Sequence, residues 1–230
     1  MLLELKQKVL KVSVDLYKSG IIFNTWGNVS EVDMSRQYMV IKPSGVNYLE
    51  LTPEDMVVVA VDTGEVVEGR LNPSIDTPTH LEIYRNFESV GAVVHTHSVN
   101  AVAFAQAGMD IPLLGTTHAD YFYGDIPCTR ALTDEEIVDD YETNTGKVIV
   151  ETIRTNGYLP LSMPGILVRN HGPFTWGKDS VQAAFHSEVL EKLAEINIKT
   201  MMLNSRSEIS RCLVDKHFSR KNGPDAYYGQ

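Results

Sequence analysis

The apolar run Val90-Gly-Ala-Val-Val94 ends in His95-Thr-His97, and few folds can use such a segment. An unbroken stretch of small and β-branched residues reads as a strand buried on both faces, because a half-exposed strand would alternate. In a strand, residues i and i+2 point to the same side, so the two imidazoles at its end converge. Two histidines with that spacing, where the chain leaves a sheet, suit a divalent metal ion. On this pair alone, solvated or hydrogen-bonded histidines are the preferred reading.

A second strand ends the same way. Gly165-Ile-Leu-Val168 runs into Arg-Asn-His171-Gly-Pro, placing a third imidazole where a strand gives way to a glycine-containing loop. A facial set of three histidines leaves positions open for a substrate, as catalytic zinc requires. Upstream, Pro73-Ser-Ile-Asp76-Thr-Pro78 opens a helix, with Asp76 or Thr77 near its N-cap. Capping alone would account for Asp76. Beside three histidines it becomes a candidate fourth ligand or acid/base group. His80 and His186 fall inside helical patterns and read as structural, and His118 and His217 carry less weight.

The remaining pattern surrounds these segments with a mixed α/β architecture. Helical periodicity opens the chain and stops at Gly20, and strands are expected at 38–42 and 56–61. Asp62-Thr-Gly64 turns into a short strand at 65–68, making a hairpin. Helices are expected at 77–87, 98–107, 148–156, 181–203 and 207–218, with strands at 91–97 and 165–169. Hairpins combined with strand–helix alternation predict a mixed sheet covered by helices. No repeat or linker divides the chain, so 1–230 is expected to be one domain.

Composition removes several function classes. Thirty acidic residues against twenty basic ones give a formal charge of −10, which repels nucleic acid phosphates. No apolar run approaches the roughly 20 residues of a membrane span, and the charged first segment is no signal peptide. Two cysteines, Cys128 and Cys212, are expected to be reduced thiols of a cytoplasmic protein. A small anionic ligand remains compatible with the charge. Thr25-Trp-Gly27-Asn28-Val-Ser30 and Lys42-Pro-Ser44-Gly45 read as turns whose N–H groups, hydroxyls and one lysine could hold a phosphate. No Walker or dinucleotide glycine motif occurs.

Taken together, these segments resemble the class II aldolase/L-ribulose-5-phosphate 4-epimerase family. The resemblance runs through TWGNVS (25–30), IKPSG (41–45), PSIDTPTH (73–80), VVHTHS (93–98), GTTHADYFYG (115–124), IPCTR (126–130), NHGPFTWGK (170–178) and KHFSRKNGPDAYYGQ (216–230). It covers essentially the whole chain, and the last four segments are the most epimerase-like. It implies a three-layer α/β/α fold with a mostly antiparallel sheet, and a homotetramer with active sites between subunits.

By this resemblance the metal ligands are His95, His97 and His171, with Asp76 where sugar-phosphate aldolases of the family carry Glu. One divalent ion per subunit is implied; Zn²⁺ is expected, with Mn²⁺, Co²⁺ and Ni²⁺ as alternatives. Phosphate contacts fall on Gly27, Asn28, Ser44, Gly45, Ser74 and Ile75, with Lys42 beside the reacting centre. Ile75 departs from the small polar residue expected there, and can offer only its backbone N–H.

The implied reaction interconverts L-ribulose 5-phosphate and D-xylulose 5-phosphate. C4 is not acidic, so inversion by deprotonation would be very hard, whereas retro-aldol cleavage of C3–C4 leaves a stabilised enediolate. Rotation of the glycolaldehyde phosphate and re-addition then invert C4. Two acid/base groups are needed on opposite sides, and the resemblance assigns these to Asp120 and Tyr228. The Tyr121-Phe-Tyr123 cluster is expected to bury Asp120 and raise its pKa. Arabinose and ascorbate breakdown are both compatible pathways.

Overall fold

The computed structural model describes residues 2–222, 226 and 227. Helix α1 (Leu3–Lys18) carries Val9, Val12 and Leu16 about one turn apart, giving a buried stripe for packing on a sheet. Strands β1 (Gly27–Val32), β2 (Tyr38–Ile41), β3 (Val57–Ala60) and β4 (Val66–Glu68) follow. Then come α2 (Thr77–Asn86), β5 (Ala92–Thr96), α3 (Val99–Ala107), the short α4 (Thr116–Ala119) and α5 (Asp134–Thr155). The hairpin β6 (Gly165–Val168) and β7 (Gly172–Gly177) leads into α6 (Ser180–Leu203) and α7 (Arg211–Asn222).

The seven strands form one sheet in the order β4-β3-β2-β1-β5-β7-β6. Every ladder is antiparallel. The sheet is therefore more uniform than the mixed one expected from strand–helix alternation. The helical connection after β5 carries the chain to the far edge, where β6 lies, and β7 turns back into the gap beside β5. Among the described residues the parallel pairing is confined to an isolated bridge between Cys128 and Leu167.

Side chains alternate between two apolar layers. Met39, Ile41, Val57, Val59 and Val93 join Leu81, Ile83 and Tyr84 of α2 and Ile149 and Ile153 of α5. Val29, Val40, Val58 and Val94 join Val9, Val12 and Leu16 of α1 on the other side. This is the three-layer α/β/α arrangement, and it explains why the strands read as continuous apolar runs.

Four elements differ from the sequence expectation. Residues 27–30, within the segment 25–30 expected as a turn, fall in the central strand β1. Asn28 and Ser30 are tolerated there because Asn28 Nδ2 is bonded to Asp76 and Ser74 and Ser30 Oγ to His80 and Tyr84, and that pairing overrides their low strand propensity. Residues 172–177, expected as loop, form β7. A Cβ on Gly172 would sit 2.9 Å from the Thr96 carbonyl oxygen, so this glycine permits close strand approach. The helix expected at 148–156 starts at Asp134 behind a Thr133/Glu136 capping box, and it kinks at Asp140, whose φ and ψ are −153° and 83°. The last helix lies four residues later than expected.

Candidate active site

The antiparallel β5–β7 pairing sets His95 opposite Phe174, and the two rings stack with centroids 4.1 Å apart. His95 Nδ1 donates to the Pro173 carbonyl oxygen at 3.0 Å, which leaves Nε2 with a free lone pair. That Nε2 lies 3.0 Å from Nε2 of His97. His171 stands in the tight turn between β6 and β7, where Asn170 takes a left-handed φ of 62° and the His171 N–H donates to the Val168 carbonyl. The Tyr141 hydroxyl lies 3.2 Å from His171 Nδ1, holding its other nitrogen toward the triad.

One ligand atom from each of His95, His97 and His171 falls within 4.8 Å of the others. Burial lowers the pKa of all three imidazoles. In His95 the neighbouring His171 and His97 push it further, and in His97 and His171 the negative charge of Asp76 opposes the shift. The triad is thus held neutral, the form that ligates a metal. Three converging neutral imidazoles, two with the remote nitrogen already engaged, fit a divalent cation.

Asp76 occupies the N-cap position of α2, yet its side chain makes no capping bond. Asn28 Nδ2 instead donates to Asp76 Oδ2 at 2.6 Å and to Ser74 Oγ at 2.9 Å. Helix capping therefore does not explain this carboxylate. It is turned toward the cavity that His97 and His171 also line.

That cavity has a volume of about 460 Å³, and Gly27, Asn28, Lys42, Ser44, Gly45, Ser74 and Ile75 all border it. Backbone bonds lace its two turns together: the Ser44 N–H donates to Asn72 O and the Ser74 N–H to Lys42 O, each at 3.0 Å. Gly27 has φ of 118°, and a Cβ there would meet the His95 carbonyl oxygen at 2.6 Å. Lys42 is buried, with Nζ donating to Pro43 O at 3.0 Å and lying over the Tyr48 ring at 4.6 Å. Burial lowers its pKa to about 8, leaving it cationic at neutral pH. The residues expected to hold phosphate thus line the same cavity as Asp76, His97 and His171, with His95 buried behind His97.

Sequence reasoning missed Trp26, Tyr141 and Glu142 as cavity residues. The Thr133/Glu136 capping box was a usable signal for an earlier helix start, but nothing local announces the kink that turns Tyr141 and Glu142 inward.

Asp120 lies elsewhere. It sits at the C-terminal end of α4, outside the lining of this cavity, and its carboxylate meets α7. Arg220 reaches both oxygens at 3.0 Å, His217 Nδ1 lies 3.0 Å from Oδ1, and Lys221 Nζ lies 3.4 Å from Oδ2. The expected rise in its pKa is corrected. Burial pushes it up, but hydrogen bonds from Arg220 and His217 and the Lys221 and Arg220 charges outweigh this, holding it below the usual carboxylate value. Tyr228 lies outside the described residues.

Residues 7–198 match the model of the class II aldolase and adducin N-terminal domain. The L-ribulose-5-phosphate 4-epimerase UlaF of Salmonella paratyphi B is 54% identical over 228 residues, covering 99% of each chain. Its counterpart from Salmonella paratyphi A matches equally well, with 54% identity over 228 residues. Among solved structures, an L-fuculose 1-phosphate aldolase superposes with a TM-score of 0.79 at 23% identity, covering 94% of this chain and 95% of its own.

Proposed function

The chain belongs to the class II aldolase and adducin N-terminal domain family, and on that premise we propose that it interconverts L-ribulose 5-phosphate and D-xylulose 5-phosphate. The observation that carries this reading is the shared cavity, in which His97, His171 and Asp76 face a lysine and the small-residue turns. The identity to named 4-epimerases supports the same substrate.

Ser44, Gly45, Ser74 and the Ile75 N–H hold the substrate phosphate, assisted by Asn28 and Gly27, and Lys42 adds positive charge beside the reacting carbons. When bound by His95, His97, His171 and Asp76, a divalent cation, Zn²⁺ in the first instance, supplies positive charge that stabilises oxyanions on C2 and C3. One acid/base group takes the C4 hydroxyl proton. The C3–C4 electron pair passes to the dihydroxyacetone fragment, and C4 becomes the aldehyde carbon of glycolaldehyde phosphate. The phosphate contacts retain this aldehyde while it rotates to present its other face. C3 then re-forms the bond, and a second group returns a proton to the new C4 oxygen. Asp120 and Tyr228 fill these two roles.

Because Asp120 is held by α7 outside the cavity wall, it serves the cavity of a neighbouring subunit in a homotetramer. The Arg220, His217 and Lys221 contacts keep it in the carboxylate form that accepts a proton. Residues 1–230 act as one domain, an organisation supported by the single sheet. A cytoplasmic location agrees with the two free cysteines, and the net charge disfavours nucleic acid. Arabinose and ascorbate breakdown both supply such a ketopentose phosphate.

A coupled assay of D-xylulose 5-phosphate formation, run with and without a chelator, tests the reading. Formation that stops on chelation and returns with Zn²⁺, Mn²⁺ or Co²⁺ supports it. No formation with any of these ions overturns it.

A further inference from the structure

Three buried polar atoms without a hydrogen-bond partner among the described residues lie in adjoining segments of β1 and α2: Asn28 Oδ1, Thr77 Oγ1 and His80 Nε2. Asn28 and Ser30 are two residues apart in β1 and so face the same side. Asp76 occupies the N-cap position of α2, and Thr77 and His80 lie in its first turn, where the His80 N–H donates to the Asp76 carbonyl at 3.1 Å. Two side-chain connections cross from strand to helix. Asn28 grips Asp76 through Nδ2, at 2.6 Å. Ser30 Oγ lies 2.7 Å from both His80 Nδ1 and the Tyr84 hydroxyl.

Each connection involves a residue that carries an orphan atom, Asn28 or His80, and Thr77 lies three residues before His80 on α2. A buried polar atom left unpaired gives up its hydration without compensation, so three on adjoining segments call for a partner. Asn28 Oδ1 can only accept. Thr77 can donate or accept, and burial holds His80 neutral by lowering its pKa to about 3, so Nε2 takes one role or the other. Water, with two donors and two acceptors, is the small partner that meets all three requirements.

We propose that one buried water joins Asn28, Thr77 and His80, making His80 the positioning residue that fixes Asp76 through Asn28. This rests on the reading that Asp76 serves a metal ion. Asn28 holds the carboxylate with one amide nitrogen, and without a restraint on its oxygen that amide could swing. Anchored through water to His80, and through Ser30 to Tyr84, it cannot. Outer partners of this kind typically change metal affinity 10–100-fold when removed.

Two substitutions separate the ring nitrogens. In His80→Asn the amide reaches the place of Nδ1 and keeps Ser30, but abandons the Nε2 position. In His80→Gln it reaches the Nε2 position instead. Co²⁺ titration of each variant, with its visible absorption spectrum, should show affinity about tenfold weaker and shifted bands for His80→Asn, with near-wild-type values for His80→Gln. A role confined to core stability would lower the unfolding midpoint of the metal-free variants without moving the bands. A high-resolution crystal structure of the wild-type protein should place a water within hydrogen-bond distance of all three atoms. Either the lack of that water or a wild-type Co²⁺ spectrum in His80→Asn overturns the proposal. Should His80→Asn fail to fold, Thr77→Val repeats the Co²⁺ measurement on the same water, and the same outcomes decide. His97→Asn tests the underlying reading separately: unchanged Co²⁺ binding there removes the metal centre itself, whereas loss there with no effect at His80 removes only this inference.

Discussion

His95 donates from Nδ1 to the Pro173 carbonyl oxygen at 3.0 Å, across the ladder that pairs β5 with β7. The bond fixes the tautomer of the most buried member of the triad and points its other nitrogen toward His97. It depends on close strand approach, which Gly172 provides on one side of β5 and Gly27 on the other.

Gly27→Ala should therefore damage fold and site together. Its φ of 118° alone costs a residue with a side chain about 1–3 kcal/mol, and the new methyl would meet the His95 carbonyl. A fall in melting temperature of at least about 3 °C is expected, with reduced divalent-metal content by elemental analysis. An unchanged melting temperature would show that β1 can move away from β5.

Lys42 gives the site a pH limit. Its pKa is lowered to about 8 by burial, so the free enzyme loses this positive charge as pH rises past 8. The value of kcat/KM for a phosphorylated substrate should decline on that limb, through KM more than kcat. Unfolding does not account for the decline. Between about 8 and the unfolded value near ~10.4 the unfolded chain binds the extra proton, so this lysine makes stability rise with pH. A flat kcat/KM from pH 7 to 9, measured against the substrate's own titration, would remove Lys42 from the binding step.

Asp76→Glu adds one methylene to a carboxylate that already sits 2.6 Å from Asn28. The longer side chain must shift, and on the proposed role of Asp76 as a metal ligand this loosens the hold on both cleavage fragments. Slower epimerisation is expected, together with a larger share of free dihydroxyacetone in an enzymatic assay. Wild-type rate and no released dihydroxyacetone would contradict this.

Asp120→Asn should lower kcat on the order of 10²-fold, the usual scale for an acid/base group, while metal content stays normal. Since the reading assigns Asp120 to a neighbour's cavity, subunit mixing is informative. Asp120→Asn and His97→Asn chains, each inactive alone, should regain activity when unfolded and refolded together. If only separate additive residues of activity appear, Asp120 works within its own chain or not at all.

Much of this arrangement was legible in the sequence because it follows from strand periodicity. His95 and His97 share a face by simple alternation, and Val168 running into His171 marks a second strand end. The segments that escaped were those where tertiary contacts override local preference. Gly27, Asn28 and Ser30 look like turn residues, yet fall in a central strand, where Ser74, Asp76 and His80 bind the Asn28 amide nitrogen and the Ser30 hydroxyl. Gly172 and Gly177 look like loop residues, yet they let β7 lie close to β5 and α6. The carboxylate of Asp120 was expected to be raised by its aromatic neighbours. Its cations come from α7, about 100 residues away, where no local pattern could announce them.

The most direct test of the central claim is NMR of L-ribulose 5-phosphate incubated with the purified, Zn²⁺-loaded protein. The account predicts D-xylulose 5-phosphate as the product, approaching an equilibrium mixture reachable from either side, with no accumulation of dihydroxyacetone or glycolaldehyde phosphate. Accumulation of those two fragments would make the protein an aldolase, and an unchanged spectrum would contradict the assignment altogether.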